Sequence, residues 1–193
     1  MKKWTIFMSI PFLMLVLVSC NTGDNQTAEN ENGNKTEQNS KKPDLNNENL
    51  SIDFNEAIDE FSNAYPDASI TKVELDSDLN VWKYEISGVD DTTEYEIEIN
   101  TDSKVVKKQK EEALDKDETN GIERENKQLD LDAVILPEKA IEAVSKETED
   151  EIDGWTLERE NSGTYYEVTV RNGNSDTDYI VDAMTGEIVK KDN

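Results

Sequence analysis

The chemically suggestive residues of this chain are carboxylates and a single thiol. Asp76-x-Asp78-x-Asn80 opens like a calcium loop, as does Asn174-x-Asp176-x-Asp178. Both fail where an EF-hand needs glycine in sixth place. Val81 and Tyr179 stand there, and Ser87 replaces the bidentate glutamate of the first loop. The carboxylates still offer oxygens for weak binding of divalent cations. Ser69-Ile70-Thr71-Lys72 fits S-x-x-K, but its companion motifs are missing and it precedes a predicted strand. There is no histidine, so Ser-His-Asp and Cys-His nucleophiles and the usual zinc sites are excluded. No nucleophile-base set remains, and the reading is of a protein that is not an enzyme, with no metal and no cofactor.

The balance of charge narrows the partners. The chain carries 45 acidic and 20 basic residues, a formal charge of -25, with 34% hydrophobic residues. Such a polyanion does not bind nucleic acid, because phosphate contacts need Lys and Arg. Cationic proteins and peptides fit it better, and the charge also keeps a secreted domain soluble. One cysteine forbids an internal disulfide.

That cysteine closes an export signal. Met1-Lys2-Lys3 is positive, and Trp4 to Val18 is apolar apart from Thr5, Ser9 and Pro11. At 15 residues the run is short of the roughly 20 a membrane helix needs. Leu17-Val18-Ser19-Cys20 resembles a bacterial lipobox. The resemblance implies cleavage between Ser19 and Cys20, diacylglycerol on the Cys20 sulfur, and a membrane partner reached through that lipid. Two acyl chains hold a protein stably at a bilayer. Residues 1–19 are thus a lipoprotein signal peptide, and residues 20–50 a lipidated cysteine and disordered tether. The tether is rich in Asn, Glu, Lys, Gln and Thr, and has only Leu45 and Leu50 as strongly apolar side chains. As a coil it spans roughly 30 Å.

Beyond the tether one order of elements occurs twice. Asp53 and Glu56 make a capping box ahead of a helix whose apolar face is Phe54, Ala57, Ile58 and Phe61, ended by Pro66. Period-two strands follow: Val73 and Leu75, then Trp82, Tyr84 and Ile86, then Tyr95, Ile97 and Ile99, then Val105 and Val106. In the second copy Pro137 opens the helix, and Ala140, Ile141 and Val144 match Ala57, Ile58 and Phe61. Trp155 and Leu157 start the strands. Tyr166, Val168 and Val170 match Tyr84, Ile86 and Gly88, the Asn172-Gly173 turn leads to Tyr179, Val181 and Ala183, and Ile188 and Val189 close. The expected fold class is α+β: two small repeats, each a helix packed across an antiparallel β-meander. Their spans are 51–109 and 133–193, joined by an acidic linker over 110–132 whose first part is expected to extend as a frayed helix. Each repeat is near the lower size limit for folding alone, so the copies are expected to pack together, although the acidic linker argues against a tight interface. Trp82, Trp155, Tyr84 and Tyr166 alternate inward and are expected in the core, leaving Tyr165 and Lys83 on the other face.

The last hairpin, YIVDAMTGEIVK from Tyr179 to Lys190, resembles the PepSY domain family, whose mark is carried by Val181, Asp182, Ala183, Thr185, Gly186 and Ile188. The first copy departs: Ile99 to Lys104 lacks the glycine and reads as one residue shorter. The resemblance implies a helix lying across a small sheet and a role in restraining peptidases near the cell surface. It supplies no catalytic residue. Three functions stay open: a lipid-anchored extracytoplasmic binding module that restrains or regulates a secreted or membrane peptidase, an acidic envelope protein holding cations or cationic wall components, and an extracytoplasmic sensor partner.

Overall fold

The computed structural model describes residues 44–160, 163–173 and 175–192. The signal segment 1–19, Cys20, and all of the tether before residue 44 lie outside the described residues. Among those described, no helix is long and apolar enough to cross a membrane.

Helix α1 covers Phe54–Ala64, and its entry is the capping box: the Glu56 amide donates to the Asp53 side chain at 2.9 Å, and the Asp53 amide to Glu56 at 3.2 Å. Tyr65 caps its other end, ahead of Pro66. The chain then forms β1 (Ser69–Asp78), β2 (Val81–Val89), β3 (Thr93–Asn100) and β4 (Val106–Ala113). A short helix α2 (Ile122–Lys127) leads to α3 (Pro137–Ser145), with Pro137 at its first position. Strands β5 (Glu151–Glu160), β6 (Gly163–Asn172), β7 (Ser175–Asp182) and β8 (Ile188–Asp192) complete the second copy.

The two meanders are one sheet, in the order β4-β3-β2-β1-β5-β6-β7-β8, antiparallel throughout. The junction is β1 against β5, with Val73 opposite Leu157, Glu74 opposite Thr156, and Leu75 opposite Trp155. Trp155 occupies in the second copy the place Val73 has in the first, and Leu157 that of Leu75. The pairing is therefore self-complementary about the Glu74–Thr156 pair, the geometry of a two-fold interface between like units. The copies pack together as expected, and the junction is a continuous strand pair in spite of the acidic linker. An unpaired β1 edge would leave backbone donors and acceptors open, and the partner copy closes them.

Helices α1 and α3 cover one face. The core between them and the sheet includes Phe54, Phe61, Trp82, Tyr84, Ile86, Trp155, Leu157 and Tyr166, all buried. Trp155 holds the two copies together, with Phe54 at 5.9 Å, Tyr84 at 6.2 Å and Tyr166 at 5.7 Å between ring centroids. The inward placement of Trp82, Trp155, Tyr84 and Tyr166 is as the alternation predicts.

Three sequence expectations change. The stretch after Lys110 is strand, with β4 running to Ala113 beside β3, because pairing to Thr93 and Glu94 satisfies its backbone better than an isolated helix would. The rest of the linker packs: α2 sits at Ile122–Lys127, Leu129 and Leu131 lie against the core, and the Leu129 amide donates to Ile70 O at 2.9 Å. The first copy's last hairpin is not shorter. Asn100 accepts from the Asp102 and Ser103 amides as Asp182 does from those of Met184 and Thr185, and Lys104 at φ 55° stands where Gly186 stands at φ 77°. The side chain at the turn's start, not the glycine, carries the geometry.

The end of the tether also folds. Leu45–Asn47 forms a 3-10 turn, Leu45 is buried, and the Ile152 amide donates to Asp44 Oδ1 at 3.1 Å. This strap crosses the helix side and lands on the second copy while continuing into α1 of the first. Leu45→Ala is expected to cost roughly 2 kcal/mol, at the lower end for a buried leucine because the strap lies at the surface of the core. Urea denaturation of the variant beside the parent measures it, and an unchanged midpoint would show the strap adds nothing.

Candidate functional site

The face of the sheet away from the helices is open, and alternation sends the polar half of every strand there. Its central row is continuous across all eight strands. Lys107 is opposite Glu98, Glu98 opposite Glu85, Glu85 opposite Glu74, and Glu74 opposite Thr156. Thr156 is opposite Glu167, Glu167 opposite Ile180, and Ile180 opposite Lys190. Three glutamates thus stand side by side on β3, β2 and β1, an arrangement that costs free energy because like charges directly across a ladder repel. With Asp76, Asp78 and Lys83 they line a shallow depression of about 180 Å³.

The electrostatics follow. Burial raises the pKa of Glu85, and Glu96 and Glu74 add to the rise. Burial likewise raises Glu96 and Glu158. Glu98 pays a burial penalty but is held below the usual carboxylate range by Lys107 and Lys83, at 3.2 Å and 3.4 Å. Lys83 also reaches Asp78 at 3.4 Å. Lys83 and Tyr165 lie on this face, where the alternation puts them, and Tyr165 stands opposite Glu158 and Asp182.

A carboxyl whose pKa rises on folding binds protons more readily in the native state, so its ionisation costs stability as pH rises. For Glu85, Glu96 and Glu158 that stability is whole below the ordinary value of 4.5 and is lost as pH rises through each raised value. Their contribution to the melting temperature is expected to grow as pH falls from 7.5 towards 4.5. Glu85→Gln should stabilise the protein at pH 7.5 by up to about 1 kcal/mol, solvent screening included, and the gain should shrink on acidification. Asp90 and Asp182 act oppositely: turn amides hold them below 3.8, so their contribution is lost as pH falls through that region. Thermal melts across this range check both signs, and a flat profile would contradict the burial of Glu85.

The residues singled out for chemistry are dispersed. Asp76, Asp78 and Asn80 belong to the β1–β2 hairpin, whose two-residue turn is Leu79 and Asn80 at φ 51° and 65°. Asp176 and Asp178 sit on β7, and Asp178 accepts from Thr169 Oγ1 at 2.9 Å. Lys72 engages Glu74 and not Ser69. Among the described residues no group of three or more acidic, histidine or cysteine side chains is arranged to hold a metal ion. The glutamate row is absent from the sequence reading. Period two assigns Glu74, Glu85 and Glu98 to one face, but only strand register sets them side by side.

Both copies match one family model, described as the peptidase propeptide and YPEB domain, PepSY, over residues 51–110 and 134–192. The chain belongs to the PepSY family. Among solved structures it is similar to a candidate lipoprotein from Clostridium difficile 630, with a TM-score of 0.73 and 31% sequence identity. The match covers 77% of this chain and 97% of that one. No curated protein matches the chain. In the PepSY frame, the β1–β5 junction joins two family units edge to edge, and the acidic row crosses their boundary.

Proposed function

We propose that this is a lipid-anchored extracytoplasmic PepSY protein, a non-catalytic binding module that restrains or regulates a peptidase at the cell surface. The observation that carries the reading is the open face itself: a broad, shallow, acidic surface spanning two PepSY units, with charge kept where it costs stability. Such a face offers no enclosed cleft for chemistry, but it steers and orients a basic partner. The edges are less suited to the contact. Lys107, Lys108 and Lys110 on β4, and Lys190 and Lys191 on β8, guard them against strand addition. Leu17-Val18-Ser19-Cys20 and the likeness to a candidate lipoprotein support the anchor.

The test adds the folded region from Asp44 onward to peptidases secreted by the same cell. Nanomolar inhibition that weakens with salt, and is lost when Glu74 and Glu85 are both replaced by lysine, supports the proposal. No effect on any peptidase sinks it. Anchoring is tested separately: Cys20→Ala should release the protein or leave it unprocessed, and a variant still membrane-bound and correctly trimmed would contradict the lipid.

The side-by-side glutamates also favour a second reading, an acidic envelope protein that holds cations or cationic wall components. Calcium-dependent retention in wall fractions, without peptidase inhibition, would select it.

A further inference from the structure

The helix side holds a second feature, independent of the acidic face and of peptidase restraint. Between α1 and α3, over the β1–β5 junction, lies a cavity of about 390 Å³, within the range of small-ligand pockets. Its floor is Leu75, Tyr84 and Trp155, each nearly fully buried. One wall is Ile52 and Asp53 at the entry of α1, and the other is Pro137, Glu138 and Ile141 on α3. Neither repeat has this groove by itself, because Tyr84 and Leu75 come from the first and Trp155 and Ile141 from the second.

The groove has a cover. Leu45, Glu48 and Leu50 of the strap line it, and the strap lies before the first PepSY match begins at residue 51. Among the contacts that hold the strap are Ile152 N–H to Asp44 at 3.1 Å, Ser145 Oγ to Asn46 Oδ1 at 3.2 Å, and the burial of Leu45. It leaves the space above Tyr84 and Trp155 unfilled. The rim is acidic. Glu48 and Glu138 are exposed and make no ion pair among the described residues. Burial raises the Tyr84 hydroxyl, and Glu138, Asp53 and Glu56 raise it further; of these, Glu138 and Asp53 line the cavity.

An aromatic-aliphatic floor beneath unpaired carboxylates is complementary to an apolar side chain with a neighbouring Lys or Arg. We propose that this groove binds a short peptide segment of that chemistry, and that residues 44–50 are a displaceable cover competing with it for the same floor. The site is formed by the pairing of the two repeats, and the strap sets how much of it is open.

Calorimetric titration of the full chain in detergent micelles tests this, with acetyl-Leu-Lys-Leu-Lys-amide as the probe and acetyl-Leu-Glu-Leu-Glu-amide as its acidic counterpart. The basic peptide should bind and the acidic one should not. Glu48→Gln with Glu138→Gln should weaken binding by about tenfold, while Asp59→Asn with Glu60→Gln, exposed on α1 and outside the groove, should leave it unchanged. Asn46→Ala loosens the strap without touching the core and should tighten binding by about threefold. Equal loss from these two pairs would make the attraction a general one and overturn the proposal, and so would a loss on Glu74→Gln with Glu85→Gln that the groove pair does not show. So would equal binding of both peptides, or no binding of the basic one. Unchanged affinity in Asn46→Ala would overturn the covering role.

Discussion

Trp155→Ala is expected to destabilise the whole fold by about 3–5 kcal/mol, the cost of removing a large buried aromatic whose site cannot collapse. The indole sits on β5 in the second copy, yet two of its three aromatic neighbours, Phe54 and Tyr84, belong to the first. It also stands opposite Leu75 across the β1–β5 pair that joins the copies. Its loss therefore weakens both repeats at once. Urea unfolding followed by Trp82 fluorescence reports on the first repeat, and far-ultraviolet circular dichroism reports on all of the sheet. Both signals should move together to a lower midpoint, as a single cooperative unit requires. If Trp82 keeps the parent midpoint while the dichroism gains an earlier phase, the repeats fold independently and the shared core is not what unites them.

Gly88→Val is expected to cost about 3 kcal/mol, and Phe61→Val in the same chain should restore a substantial part of it. A Cβ at Gly88 would meet Phe61 Cζ at 2.5 Å and Ser69 O at 2.8 Å, too close for any real side chain. The second copy shows the alternative packing: Val170 takes the place of Gly88, and Val144 that of Phe61, both buried. One copy fills the space beneath its helix from the helix, and the other divides it between helix and strand. Volume-conserving exchange is what cores tolerate best, whereas a bulky strand residue under a bulky helix residue is overpacked. A double-mutant cycle measures the coupling, which should be favourable by roughly 1–3 kcal/mol for residues in contact. Strictly additive effects would mean that the glycine answers to the Ser69 carbonyl and not to the ring.

The acidic face and the groove divide the molecule by chemistry. One side of the sheet exposes carboxylates, Glu85, Glu96 and Glu158 among them, whose ionisation costs stability, and the other holds the aromatic core and the strap. Replacing Glu74 and Glu85 should alter contact with a basic partner while leaving the core intact, because no buried apolar side chain depends on them. Trp155 and Gly88 are the reverse case, central to folding and remote from the open face. Inhibition assays and unfolding curves on these two sets of variants separate binding from stability.

Much of this molecule is written in short stretches of chain. The Asp53–Glu56 capping box, Pro137 at the head of α3 and the alternation of Trp82, Tyr84 and Ile86 each depend on residues a few positions apart. Covalent geometry and the periods of helix and strand are enough to read them. So is the duplication, since the same local pattern comes twice. Other features depend on which distant stretches meet. Glu74, Glu85 and Glu98 become neighbours only through register. Lys110–Ala113 becomes strand only because β3 offers it an edge, and Leu45 is buried only because β5 and α3 form a seat for it. Above all, the fusion of two meanders into one sheet rests on β1 and β5 being complementary along their edges. That complementarity belongs to a pair of strands about eighty residues apart, and no single stretch of chain contains it.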